Sequence, residues 1–225
     1  MITLRRARAL AATLLVVAGF GIAVAPTASA ASCTYFADLP AKVSIDRGSV
    51  QVPVVLRGCD GIFDYAAANV YGPPGDVDFL LWNAGRTDYW TAYDWEVTPG
   101  VYNTNDGHGY STGFEPAAWR GDKTTVKYGA RAGISATRSG SHVTITATAS
   151  RYSATARRFV PYGNRVVAIE HCLTNSSGCS LRAYAKTDAA GRTRITISAP
   201  APRSYRVTFG ENWAYWGATS ALYRR

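Results

Sequence analysis

Apolar and polar positions alternate with period two along most of this chain. From Ser141 to Ser150, Val143, Ile145, Ala147 and Ala149 alternate with His142, Thr144, Thr146 and Thr148, the pattern of a half-buried strand. Leu181, Ala183 and Ala185 alternate with Arg182, Tyr184 and Lys186. A turn at Thr187-Asp188-Ala189-Ala190-Gly191-Arg192 follows, and Ile195 and Ile197 then alternate with Arg194, Thr196 and Ser198. Tyr205, Val207 and Phe209 repeat the alternation after Pro200 and Pro202. Upstream, strands are predicted at Val43–Ile45, Val50–Leu56, Asn69–Tyr71, Val77–Trp82 and Tyr89–Val97, each bounded by Gly, Pro, Asn or Asp. Helical periodicity is nearly absent. Short strands at such spacing indicate an all-β fold of sandwiches or barrels.

The first 30 residues break the pattern. Arg5, Arg6 and Arg8 precede an apolar run from Leu10 to Val24, Pro26 interrupts it, and Ala28-Ser29-Ala30 offers small residues for cleavage. This is the anatomy of a secretory signal peptide over residues 1–30, of the general rather than the twin-arginine type. No second apolar run of spanning length follows. The expectation is a secreted, extracellular protein with no membrane span in the mature chain. Residues 31–225 suffice for two tandem sandwiches of about 100 residues each, divided into 31–128 and 129–225 near Lys127-Tyr128-Gly129-Ala130.

Charge supports that division. The chain carries 24 basic and 15 acidic side chains. Residues 31–127 hold 7 basic and 12 acidic groups, a net −5, whereas 128–225 hold 14 and 3, a net +11. With 47% apolar and only 17% charged residues, the composition excludes a disordered polyelectrolyte, a collagen-like repeat and a coiled coil. Twenty arginines against four lysines suggest, by association only, a GC-rich bacterial genome.

Four cysteines allow three pairings. Cys33–Cys59 with Cys172–Cys179 keeps each bridge within one charge half and is the expected set. Loop-closure entropy assigns them about 3.5 and about 2.5 kcal/mol. A zinc site of His171, Cys172 and Cys179 is the rival, short of a fourth ligand.

The C-terminal half, with its strand, its Thr187–Arg192 turn, its second strand, Tyr205-Arg206-Val207 and the closing Trp216-Gly217-Ala218-Thr219-Ser220, resembles the bacterial immunoglobulin-like domains of secreted actinobacterial proteins. The resemblance covers about 97 residues and is weaker in the N-terminal half. It implies an immunoglobulin-like β-sandwich in a non-catalytic module and transfers no active-site residue.

Several constellations could carry chemistry. Gly109-Tyr110-Ser111-Thr112-Gly113 spells Gly-x-Ser-x-Gly, which in hydrolases forms a strained elbow between strand and helix. Here a polar segment precedes it and Phe114-Glu115-Pro116 follows, so a glycine-rich surface loop is expected. Asp122 with His142 or His171 would complete a triad. Asn103, Asn105, Asp106, Gly107, Asp76 and Asp78 offer oxygen ligands without the spacing of a calcium loop; turn chemistry accounts for Asn105 and Asp106-Gly107, and a loop-built site between strands is the alternative. Asp88, Asp94, Glu96 and Glu115 could supply paired carboxylates. On a strand from Tyr89 to Val97, Tyr89, Tyr93, Trp95 and Val97 share one face and Trp90, Asp94 and Glu96 the other. With the second face outward, Trp90 becomes a sugar-stacking platform flanked by carboxylate acceptors. In the basic half, Arg157, Arg158, Arg203 and Arg206 stand beside aromatic residues and can grip anionic polymers.

These readings combine into a secreted, non-enzymatic binding or structural module. Its expected partner is anionic or neutral extracellular polysaccharide or wall polymer, contacted through Trp90, Asp94, Glu96, Arg157, Arg158, Arg203 and Arg206. No nucleic acid, cofactor, metal or catalytic residue is expected. The alternatives are a small secreted hydrolase using Ser111 or the carboxylates, and a non-catalytic carbohydrate-binding module.

Overall fold

A computed structural model describes residues 33–59, 63–83, 85–111, 115–174 and 177–225; the expected signal peptide lies outside them. Every regular element among the described residues is a strand. The N-terminal half contains β1 (Thr34–Asp38), β2 (Lys42–Ile45), β3 (Ser49–Arg57), β4 (Phe63–Gly72), β5 (Gly75–Trp82), β6 (Thr87–Tyr93), β7 (Gly100–Asn103), β8 (Gly107–Ser111), β9 (Glu115–Arg120) and β10 (Lys123–Tyr128). They are hydrogen-bonded in the order β2-β10-β7-β4-β8-β9-β1-β3-β6, with β5 beside β4. β9 turns the corner, pairing antiparallel with β8 and parallel with β1. The two arms then face each other, because Val52, Leu56 and Trp90 of one arm share a buried core with Val70, Leu80 and Tyr102 of the other.

The C-terminal half contains β11 (Ala130–Ser139), β12 (His142–Ser153), β13 (Arg158–Pro161), β14 (Val166–Thr174), β15 (Ser177–Lys186), β16 (Arg192–Ser198), β17 (Ser204–Phe209), β18 (Ala218–Thr219) and β19 (Tyr223–Arg224). β12 pairs with β11, β13 and β16, while β15, β14 and β17 form the opposing sheet with β18 and β19 along its edge. Val143, Ile145 and Ala147 meet Val167, Ile169 and Val207 in a second core. Burying each of these Val and Ile side chains contributes about 1.5–3 kcal/mol. The all-β sandwich class expected from the alternation is therefore present.

Residues Ala31–Arg225 nevertheless form one compact unit. The long strand β12 serves both cores: Val143 to Ala149 belong to the second, but Tyr152 at its end is buried in the first. The segment before β18 also returns to the N-terminal half. Trp216 donates its indole N–H to the Val43 carbonyl at 3.0 Å and its amide to the Tyr128 carbonyl, while the Tyr128 amide donates to Ala214. The ammonium groups of Lys42 and Lys127 lie 4.9 and 4.8 Å from the Trp216 ring, within cation–π range.

Both expected disulfides are formed, Cys33–Cys59 and Cys172–Cys179. The second joins directly opposed residues of β14 and β15. The zinc reading of His171, Cys172 and Cys179 is thereby overturned, since a bridged sulfur is no thiolate ligand.

Two strand expectations need correction. The chain leaves β6 at Tyr93, and residues 94–96 are a turn, in which the amides of Glu96 and Val97 both donate to the Tyr93 carbonyl. Gly107–Ser111 is a strand, not a surface loop. Its Gly109 is required because a Cβ there would stand 2.6 Å from the Tyr35 ring.

Candidate binding sites

Trp90 has no exposed surface, so it cannot stack on a ligand. The alternation within β6 holds, but its faces are the reverse of the outward-Trp90 expectation. Trp90 lies directly opposite Val52, and Ala92 opposite Val50; opposed residues on antiparallel strands share a face. In β3, Val52, Val54 and Leu56 point inward while Gln51 and Pro53 alternate with them, and this fixes the face of β6. Trp90 packs against Tyr102 with ring centroids 4.9 Å apart.

Asp94 follows Trp90 inward and is 1% exposed. One of its oxygens accepts the Tyr152 hydroxyl at 2.7 Å. The other lies 3.8 Å from Arg157 Nε and accepts no hydrogen bond among the described residues. Burial, then the hydrogen bond to Asp94 and its charge, push the Tyr152 hydroxyl up to about 12. Asp94 is thus a tie between the halves. Arg157, held in a left-handed backbone conformation with φ 48°, covers it from the solvent side.

The solvent face of this region is aromatic. Tyr89, Tyr93 and Trp95 are 52%, 40% and 66% exposed, and Tyr93 stacks on Trp95 at 5.4 Å. Beside them, Asp94, Trp95, Glu96, Val97, Thr98 and Tyr128 line a cleft of about 390 Å³ closed by Ala154 and Thr155 of the C-terminal half. Reading Asp94 and Glu96 as paired carboxylates fails, because only Glu96 of the two has appreciable exposure.

The arginines of the basic half divide into two groups. Arg138 donates to the carbonyls of Ala199, Ala201 and Arg225, Arg151 to the Tyr215 hydroxyl and Arg165 to the Gly210 carbonyl. Arg206 pairs with Glu170, so its expected part in polymer contact is answered internally. Arg182, Arg192 and Arg194 are exposed and Arg203 is half-buried. Arg192 and Arg194 stand on one exposed edge of β16 with Thr196 and Ser198, across from Thr148, Thr146 and Thr144 of β12. The stripe runs into a pocket of about 250 Å³ lined by His171, Arg182, Ser198, Arg203 and Tyr205. Among the described residues no carboxylate pairs with Arg182, Arg192, Arg194 or Arg203. His171 Nε2 is 3.0 Å from Ser180 Oγ; burial, then the charges of Arg182 and Arg203, hold its pKa below 6.5. Arg203 was legible as a candidate. Its partners Arg182 and His171 come from other strands, and no spacing along the chain joins them. Arg158 is exposed at the start of β13, opposite Ser153, away from this pocket's lining.

The catalytic alternatives find no assembled set among the described contacts. Ser111 ends β8, which pairs antiparallel with β9; its side chain lies outside the described residues, as does that of Glu115. Asp122 accepts the Leu39 amide, and His142 lies beside Ser141. Of the candidate calcium ligands, Asn103 accepts the Asn105 amide and Asp106 the Tyr71 hydroxyl. Asp78 and Asp88 join strand edges, accepting the amides of Thr91 and Leu81. Among the described residues no three His, Cys, Asp or Glu side chains cluster.

No family model matches the chain, and no curated protein matches it. Solved structures to which it is similar include the BSP domain of a biofilm associated protein (12% identity, 84% of this chain, 28% of that one, TM-score 0.29). A Salmonella alpha-2-macroglobulin variant follows at 10% identity, 89% of this chain, 15% of that one and TM-score 0.41. A segment of two fibronectin type III domains from chicken tenascin matches at 11% identity, 84% of this chain, 95% of that one and TM-score 0.40. The chain spans under a third of the first two. What it does is read from its own side chains.

Proposed function

We propose that this chain is an exported, non-enzymatic binding module of two immunoglobulin-like lobes, divided near Tyr128, and that its basic lobe adheres to anionic extracellular polymer. The observation that carries this reading is the run of Arg192, Arg194, Arg182 and Arg203 along one stripe and pocket, without carboxylate partners among the described residues. Guanidinium forks bind phosphate and carboxylate oxygens bidentately, and the Thr and Ser hydroxyls between them accept or donate to polymer hydroxyls. Two disulfides suit an oxidising compartment outside the cytoplasm.

Retention on immobilised poly(glycerol phosphate) tests it. Binding is expected at low salt and should fall steeply as ionic strength rises and the Debye length shrinks below about 8 Å. Arg182→Ser with Arg203→Ser should weaken it about tenfold, the equivalent of about 1.4 kcal/mol. Salt-independent retention, or equal retention by the double variant, overturns the reading.

The pocket also sets a pH dependence. His171 on β14 faces Arg182 of β15, Arg203 leading into β17, and Tyr205 and Ser180 across its two neighbouring strands. A bound phosphodiester offsets the arginine field that, after burial, holds the imidazole below 6.5. Binding therefore raises the His171 pKa and takes up a proton. Affinity for the phosphodiester polymer, whose own charge is constant here, should rise as pH falls from about 7 to about 5. The rise should vanish in His171→Gln when retention is measured across that range.

A further inference from the structure

We propose that the cleft beside Trp95 is a second binding site, for a neutral oligosaccharide, formed jointly by the two halves and independent of the cationic stripe. Trp95 leaves β6 on the outer side of the turn after Tyr93, and two-thirds of its surface is exposed. Tyr93 backs one side of the indole at 5.4 Å with an interplanar angle of 28°. Tyr93 thus covers part of the indole, and most of its surface stays open to a ligand. An exposed indole favours a flat ligand with an apolar C–H face.

The cleft supplies the polar complement. Glu96 is half-buried and has no ion-pair partner among the described residues, so its carboxylate accepts from ligand hydroxyls. Thr98 and Thr155, one from each half, are exposed in the lining, and their hydroxyls both donate and accept. Tyr128 contributes its ring to the wall while its hydroxyl donates to the Val97 carbonyl at 3.2 Å. The volume of about 390 Å³ is within the range of small-molecule sites. Hydroxyl acceptors beside an aromatic plate match a sugar ring, which carries O–H groups at its rim and C–H groups on its face.

Charge selects the neutral class. Asp94 beneath the cleft is countered by Arg157, which leaves the Glu96 carboxylate as the open charge. A uronate or phosphate would be repelled there, whereas the cationic stripe attracts it. The two sites therefore prefer different polymers, or different portions of one polymer.

Titration of the full chain with cellohexaose, xylohexaose and chitohexaose, followed by intrinsic fluorescence and calorimetry at 50 and 500 mM salt, tests this. At least one should bind with an affinity that salt leaves unchanged, and hexagalacturonate should not compete. Trp95→Ala should weaken binding about tenfold or more, and Glu96→Gln several-fold, each with an unchanged melting temperature. Arg182→Ser with Arg203→Ser should leave this binding intact, which separates failure here from failure of the anionic-polymer reading. No binding by any of the three neutral hexamers at 10 mM, or equal binding by Trp95→Ala, overturns the proposal.

Discussion

Trp90→Ala lowers the stability of the folded chain by about 3–5 kcal/mol, the range for deleting a large aromatic side chain from a packed core. The indole has no exposed surface. It lies against Tyr102, whose hydroxyl donates to the Thr98 carbonyl and accepts the Thr98 amide, so the surroundings are tied and can collapse little into the void. Trp95→Ala, five residues on, removes a side chain that is 66% exposed and should change stability by under about 0.5 kcal/mol. Urea denaturation followed by far-ultraviolet circular dichroism distinguishes the two without relying on the tryptophan being removed. Equal effects of the two substitutions would mean that the faces of β6 are wrongly assigned.

Tyr152→Phe should destabilise by about 3 kcal/mol, more than its single lost oxygen suggests. The substitution leaves the buried Asp94 carboxylate without its hydrogen-bond donor, and only the solvent-facing Arg157 at 3.8 Å remains to it. Removing the donor to a buried carboxylate strands its charge. Asp94→Asn should be milder, because an amide oxygen still accepts from the Tyr152 hydroxyl. The same contact predicts alkaline behaviour. The folded-state Tyr152 pKa is pushed up to about 12, above the ordinary value near 10. The folded chain therefore retains a proton that the unfolded chain releases. The associated stability is fully present below pH 10 and is lost as the pH climbs toward 12. Tyr102, also pushed up to about 12, chiefly by burial, shares this limb, so Tyr152→Phe should flatten it without abolishing it. An unchanged alkaline limb in the variant would break the assignment.

Local patterns in this chain carried a good deal of information. The alternation from His142 to Ala149 and from Arg194 to Ser198 lies in the strands as read, because period two is a property of the extended backbone itself. The cysteine pairing was legible because the two bridges close short loops within each charge half. β6 is the instructive case. Its two faces were correctly separated, yet each carries aromatic residues, Tyr89 and Tyr93 on one and Trp90 on the other, so either face is a plausible core. The inward alternation of Val52, Val54 and Leu56 removes the ambiguity only once β3 is known to be its partner.

The sequence by itself determined the strand class, the separation of faces within each strand, the disulfides and the uneven charge. These depend on neighbours along the chain or on counting. Tertiary structure alone decided that Asp94 turns inward to meet Tyr152, 58 residues away, and that Tyr93 backs Trp95 beside a cleft closed by Thr155. It alone gathered His171, Arg182 and Arg203 from separate segments into one pocket. Such meetings follow from strand order and register, which hydrogen bonds between distant segments set. A linear pattern holds no record of which strand will lie beside which.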